Sequence, residues 1–154
     1  MKKYLAGLVA AAFSINVAHA APAPAAGRCF KPADIEAEQA ILFQTELMVI
    51  AEACRVPSYV NFTQRNRQAV IAYQKQMIDH FRRAGGGNAV ASFDSYQTRL
   101  ANQSALRNGQ TPVPTLCSQA KEFLAIGNEL DGEGFRRYAA ARAVTNQPYY
   151  RVCR

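Results

Sequence analysis

Apolar and polar positions alternate at helical spacing along most of this chain, and the interruptions fall at Pro and Gly. From Pro32, a favourable first helical residue, the sequence runs to Cys54 without another Pro or Gly, and Asp34, Glu36 and Glu38 lie in the opening turns where the helix dipole favours acids. At 3.6 residues per turn, Glu38, Thr45 and Glu52 form one narrow polar stripe and apolar residues occupy most of the remaining circumference, which predicts a helix largely surrounded by protein. A second helix is predicted from Ser58, placed as an N-cap after Pro57, to the Gly85-Gly86-Gly87 breaker, with a core line of Tyr59, Phe62, Ala69, Val70, Tyr73, Met77 and Phe81. A third runs from about Ala89 to Asn108-Gly109, with Phe93, Tyr96 and Leu100 inward. A fourth starts near Thr115 with Leu116, Ala120, Phe123, Leu124 and Gly127 on its inner face, and Gly132 and Gly134 are expected to break it. Phe135 to Val144 makes a short fifth helix, and an extended tail containing Pro148 follows.

Short connections favour antiparallel neighbours, so the expected fold is all-α: an antiparallel four-helix bundle stapled by disulfides, with a short fifth helix and an extended C-terminal tail. The cysteines, Cys29, Cys54, Cys117 and Cys153, allow three pairings. Helix parity selects among them. The first and third helices end at the same end of the bundle and the fourth begins there, which brings Cys54 to Cys117. Cys29 and Cys153 then remain at the other end as partners. No C-x-x-C occurs, which argues against a redox-active dithiol, covalent haem and a four-thiolate zinc site.

The opening of the chain changes the picture from fold to compartment. Lys2 and Lys3, a short apolar run from Leu5 to Phe13 and the small-residue site Ala18-His19-Ala20 have the layout of a secretory signal peptide over residues 1–20, cleaved before Ala21. The apolar run is too short to span a bilayer, which takes roughly 20 residues. Residues 21–28 read as a flexible Ala/Pro-rich lead-in, and 29–154 as one helical domain in a periplasmic or secreted, disulfide-permitting setting. Loss of Lys2 and Lys3 takes the formal charge from +7 to +5, with basic residues scattered along the chain. This balance suits an acidic envelope partner or an anionic envelope polymer; nucleic acid fits poorly outside the cytoplasm.

Candidate chemistry is sparse. Polar residues on apolar faces single out Glu46, seven residues from Gln39 on the first helix, and Asn66 and His80 on the second. Folding the two helices about Pro57 places Glu46 near the level of Asn66. Two readings follow: a register-setting polar contact, or a buried carboxylate lining a pocket as a general acid. After signal cleavage His80 is the single histidine, so multi-histidine metal sites are excluded and no cofactor is implied. Gly85-Gly86-Gly87 lacks the strand and Lys-Ser/Thr of a phosphate loop.

The stretch from Glu46-Leu47-Met48-Val49 to Cys54, then Tyr59, Phe62, Arg65-Asn66-Arg67 and Leu100-Ala101-Asn102, resembles a group of small exported bacterial four-cysteine helical proteins of uncharacterised function. The resemblance covers the first three helices and Cys117. It implies an envelope location and a four-cysteine helical fold, and it carries no activity. The expected function is therefore an exported, non-enzymatic binding module contacting an envelope protein or anionic envelope polymer. The alternatives are a small hydrolase or lyase using Glu46, with Asn66 or His80, and a carrier of an apolar ligand.

Overall fold

A computed structural model describes residues 29–85 and 87–153. The signal peptide and lead-in expected over 1–28 lie outside the described residues. The described chain is all-α, with helices α1 (Pro32–Cys54), α2 (Ser58–Arg83), α3 (Ala89–Asn108), α4 (Val113–Gln119), α5 (Lys121–Glu129) and α6 (Gly132–Asn146), then a 3₁₀ turn over Gln147–Tyr149.

Helix α1 is the axis of the molecule and packs against all five other helices. Its sequence explains why. Ile35, Ala37, Ile41, Phe43, Leu47 and Ile50 are buried and are distributed around the helix rather than along one face. Asp34 at the third helical position reaches back to the Lys31 N–H at 2.8 Å, closing the N-terminus with an acid where the dipole favours one. Arg55 ends the helix in the left-handed region at φ 54°. By contrast α2 is amphipathic, burying Phe62, Ala69, Val70, Tyr73 and Met77. The α2–α3 connection needs positive φ at Gly85 and Gly87, and Asn88 then caps α3 through its side-chain oxygen to the Val90 and Ala91 N–H groups.

The expected fourth helix is two helices. The chain turns at Ala120, so α4 lies on α1 while α5 packs on both α1 and α2. Gly132 and Gly134 do not break a helix; they form the first turn of α6, because Asp131 caps it by accepting from the Gly134 N–H at 2.7 Å. Nor is α6 peripheral, since Phe135 and Ala139 are fully buried against α1 and α2. Phe43, Phe62, Phe135 and Tyr138 form the aromatic centre, with Phe62 and Phe135 edge to face at 4.8 Å. The close approach of α5 to α1 requires Gly127: a Cβ there would lie 2.7 Å from both δ-methyls of Leu47.

Disulfides join Cys54 to Cys117 and Cys29 to Cys153, the pairing that helix parity predicts. The second forms a clasp. Phe30 pairs with Val152 in an isolated parallel bridge, Phe30 N–H donates to the Arg151 carbonyl, and Cys153 N–H donates to the Phe30 carbonyl. Two disulfides fit an oxidising compartment. Among the described residues no helix is long and apolar enough to cross a membrane.

Candidate functional site

Three of the carboxylates on α1, Asp34, Glu38 and Glu46, differ in what they meet on the neighbouring helices, and the neighbours decide what each becomes. Asp34 has no exposed surface. It accepts from Gln76 Nε2 at 2.6 Å and from Arg83 Nη2 at 2.6 Å on both oxygens, and His80 Nδ1 lies 3.2 Å from Oδ2. Burial pushes the Asp34 carboxyl up, but Arg83, the Lys31 N–H, Gln76 and His80 together outweigh it and hold the group below the usual carboxylate range. One turn on, Glu38 is 3% exposed. Oε1 accepts from the Tyr96 hydroxyl, while Oε2 has no hydrogen-bond partner among the described residues. The nearby Tyr150 hydroxyl accepts from Gln39 at 2.9 Å. Burial pushes the Glu38 carboxyl above its usual range, and the Tyr96 and Tyr150 hydroxyls pull it back only in part. Burial and the neighbouring Glu38 in turn push the Tyr96 hydroxyl up.

Glu46 sits in a different setting. Ser104 Oγ donates to its Oε2 at 2.6 Å, Arg107 Nη2 to the same oxygen at 3.0 Å, and Asn108 Nδ2 to Oε1 at 3.1 Å. All three donors come from α3. The carboxylate keeps 22% of its side-chain surface and opens on a cleft of about 640 Å³. One stripe of α1, Gln39, Leu42, Phe43, Glu46 and Ile50, forms the cleft floor. Arg107 and Asn108 at the end of α3 make one wall, and Leu116 of α4, Ala120 at the turn, and Phe123 and Ile126 of α5 make an apolar wall. Tyr138 and Arg142 of α6 close one end. The volume lies within the roughly 300–1,000 Å³ of small-molecule sites, and the mixture of apolar lining with a few polar groups has the same character.

The three residues singled out from the sequence are not brought together. Asn66 is buried on the other side of the core, where Nδ2 donates to the Phe62 and Leu130 carbonyls, each at 2.9 Å, and ties α2 to the turn before α6. His80 is buried at the clasp, stacked on Phe30 with ring centroids 4.2 Å apart and bonded to Asp34. The expected seam of Gln39 and Glu46 against Asn66 and His80 is therefore replaced by three separate arrangements. Glu46 faces α3, and Gln39 is held by Tyr150 and by Asn146 Nδ2, which donates to its Oε1 at 3.1 Å. The physical reason is azimuth. Folding about a turn sets the level at which residues meet, whereas the direction each faces depends on how many helices share α1. For the same reason Glu38 and Thr45, expected on an outward stripe, are buried, and of that stripe Glu52 alone is exposed.

No group of three or more His, Cys, Asp or Glu residues suited to a metal occurs among the described residues. No protein-family model, curated protein or solved structure matches this chain. The cleft is accordingly interpreted on its own geometry.

Proposed function

We propose that the protein is an exported, non-enzymatic binding module of the periplasm or the secreted fraction, and that the cleft along α1 is its binding face. The observation that carries this reading is a cleft with a largely apolar wall and a mixed floor opening beside Arg107 and Arg142. A partner that supplies an apolar portion and negative charge complements that surface, which fits an envelope component better than a soluble polar substrate. Glu46 favours the binding role over a catalytic one, because both its oxygens are already occupied by Ser104, Arg107 and Asn108. The two buried carboxyls with shifted pKa values, Asp34 and Glu38, are sealed away from the cleft and offer no acid to a substrate there.

Photo-crosslinking amino acids placed at Gln119 and Glu122 on the cleft rim, and at Gln68 and Lys75 on the exposed face of α2, test this in cells. Adducts with one envelope component from the cleft positions alone are expected. No adduct from the cleft, or equal capture from both faces, contradicts the proposal.

A further inference from the structure

We infer that the cleft holds the acyl chain of a single-chain anionic amphiphile, with the acidic head group at Arg142. The inference rests on the cleft being the binding face and names what it takes.

The cleft has a direction. Its floor extends from Gln39 to Ile50, eleven residues of helix or about 16 Å at 1.5 Å per residue, the reach of an extended medium-length acyl chain rather than a compact solute. The two ends differ chemically. At the Ile50 end, Leu116 is brought in beside the Cys54–Cys117 bridge, and the charged group nearest that end, Arg107, is already paired with Glu46. At the other end α6 lies antiparallel to α1: the Tyr138 ring packs tilted on Phe43 with centroids 4.7 Å apart, and Asn146 bonds Gln39, so Arg142 stands between those levels.

The two cationic groups of the cleft are not equivalent. Arg107 is paired with Glu46 at 3.0 Å. Arg142 is half-buried and forms no ion pair among the described residues, and the remaining charged group, Glu122, is exposed on the rim without joining it. A partly desolvated guanidinium without a counter-charge, at one end of an apolar trough, is complementary to a carboxylate or phosphate carried on a hydrocarbon chain. Between the ends, Phe123, Ile126 and Leu42 supply the hydrocarbon contact, and the Glu46–Arg107 pair, already neutralised, borders the path on the α3 side.

Calorimetric titration of the oxidised protein with dodecanoate, dodecanol and dodecyltrimethylammonium, each below its micellar concentration, tests the assignment. Dodecanoate binds best. Arg142→Gln weakens dodecanoate about tenfold or more, the usual scale of a charge-assisted contact, and leaves dodecanol unchanged. Gln119→Trp, an exposed rim position that fills the trough, weakens both. Equal binding of dodecanoate and dodecanol, or no effect of Arg142→Gln, overturns the head-group assignment while the cleft remains a binding face. Failure of every probe with persistent crosslinking from Gln119 overturns the amphiphile and leaves the binding module. Failure of both overturns both.

Discussion

The two ends of α1 use carboxylates in opposite ways. At the clasp, Asp34 and Glu38 are enclosed by α2, α3 and the disulfide-tied termini, with Phe30 laid over His80 as a lid on the polar cluster. Two turns beyond Glu38, Glu46 keeps contact with solvent beside a cleft with an apolar wall. The more strongly perturbed ionisable groups belong to the sealed end. In this protein a shifted carboxyl marks architecture, and the place proposed for a ligand is marked instead by apolar surface beside Arg142, which forms no ion pair among the described residues.

The disulfides provide the largest test of that contrast. The two bridges span 124 and 63 residues, so chain entropy alone assigns each about 4–5 kcal/mol. If the clasp also seals Asp34 and His80, the Cys29→Ala/Cys153→Ala variant loses more stability than Cys54→Ala/Cys117→Ala in denaturant unfolding. Equal losses would remove the distinction between the ends.

Within the clasp, Asp34→Asn strands Arg83 and His80 and is expected to cost about 3 kcal/mol, the low end for a buried pair because Arg83 is partly exposed. Glu38→Gln keeps an acceptor for Tyr96 and is expected to cost far less; a loss as large as that of Asp34→Asn would show that Glu38 is ionised and paired. The pH dependence has opposite signs for the two residues. Asp34, with its folded pKa lowered, stabilises the fold above its ordinary value of 3.8, and that contribution disappears as pH falls through the folded pKa. Glu38, with its folded pKa raised, retains its proton above the ordinary 4.5, so stability declines as pH rises from there through the folded value. Urea midpoints measured against pH should lose the acid-side fall in Asp34→Asn and the decline above 4.5 in Glu38→Gln.

Toward the cleft the expected effects are smaller. Gly127→Ala sets a Cβ against buried Leu47, and overpacking of this kind costs about 1–3 kcal/mol. A thermal melt unaffected by the substitution would mean that α5 is free to shift away from α1. Glu46→Gln breaks a partly exposed pair with Arg107 and is expected to cost less than about 1 kcal/mol. A much larger loss in the same melt would place Glu46 with the sealed carboxylates instead of the open end.

Much of the architecture is legible in the residues themselves, and the rest is not for identifiable reasons. The bounds of α2 and α3 follow from Pro57, the glycine run and Gly109, because these residues act locally, although Pro57 and not Ser58 holds the cap position of α2. Cysteine pairing follows from parity, which needs only helix number and direction. The break at Ala120 has no Pro or Gly to announce it, and Gly132 and Gly134 signal a break although Asp131 capping carries them into α6. Burial of Glu38 and the separation of Glu46 from Asn66 depend on how five helices divide the circumference of α1, which no periodicity within α1 encodes. Gln39 and Glu46 were visible as anomalies. The α4–α6 side of the cleft, including Arg142, was not, because those residues read as ordinary amphipathic helix.

The division into a sealed end and a proposed binding end is tested most directly by following backbone amide resonances of the oxidised protein during titration with dodecanoate. The account predicts perturbations concentrated at Leu42, Phe123, Ile126 and Arg142, with Asp34, Glu38 and His80 unmoved. Perturbations centred on the clasp, or spread evenly over the six helices, would contradict it.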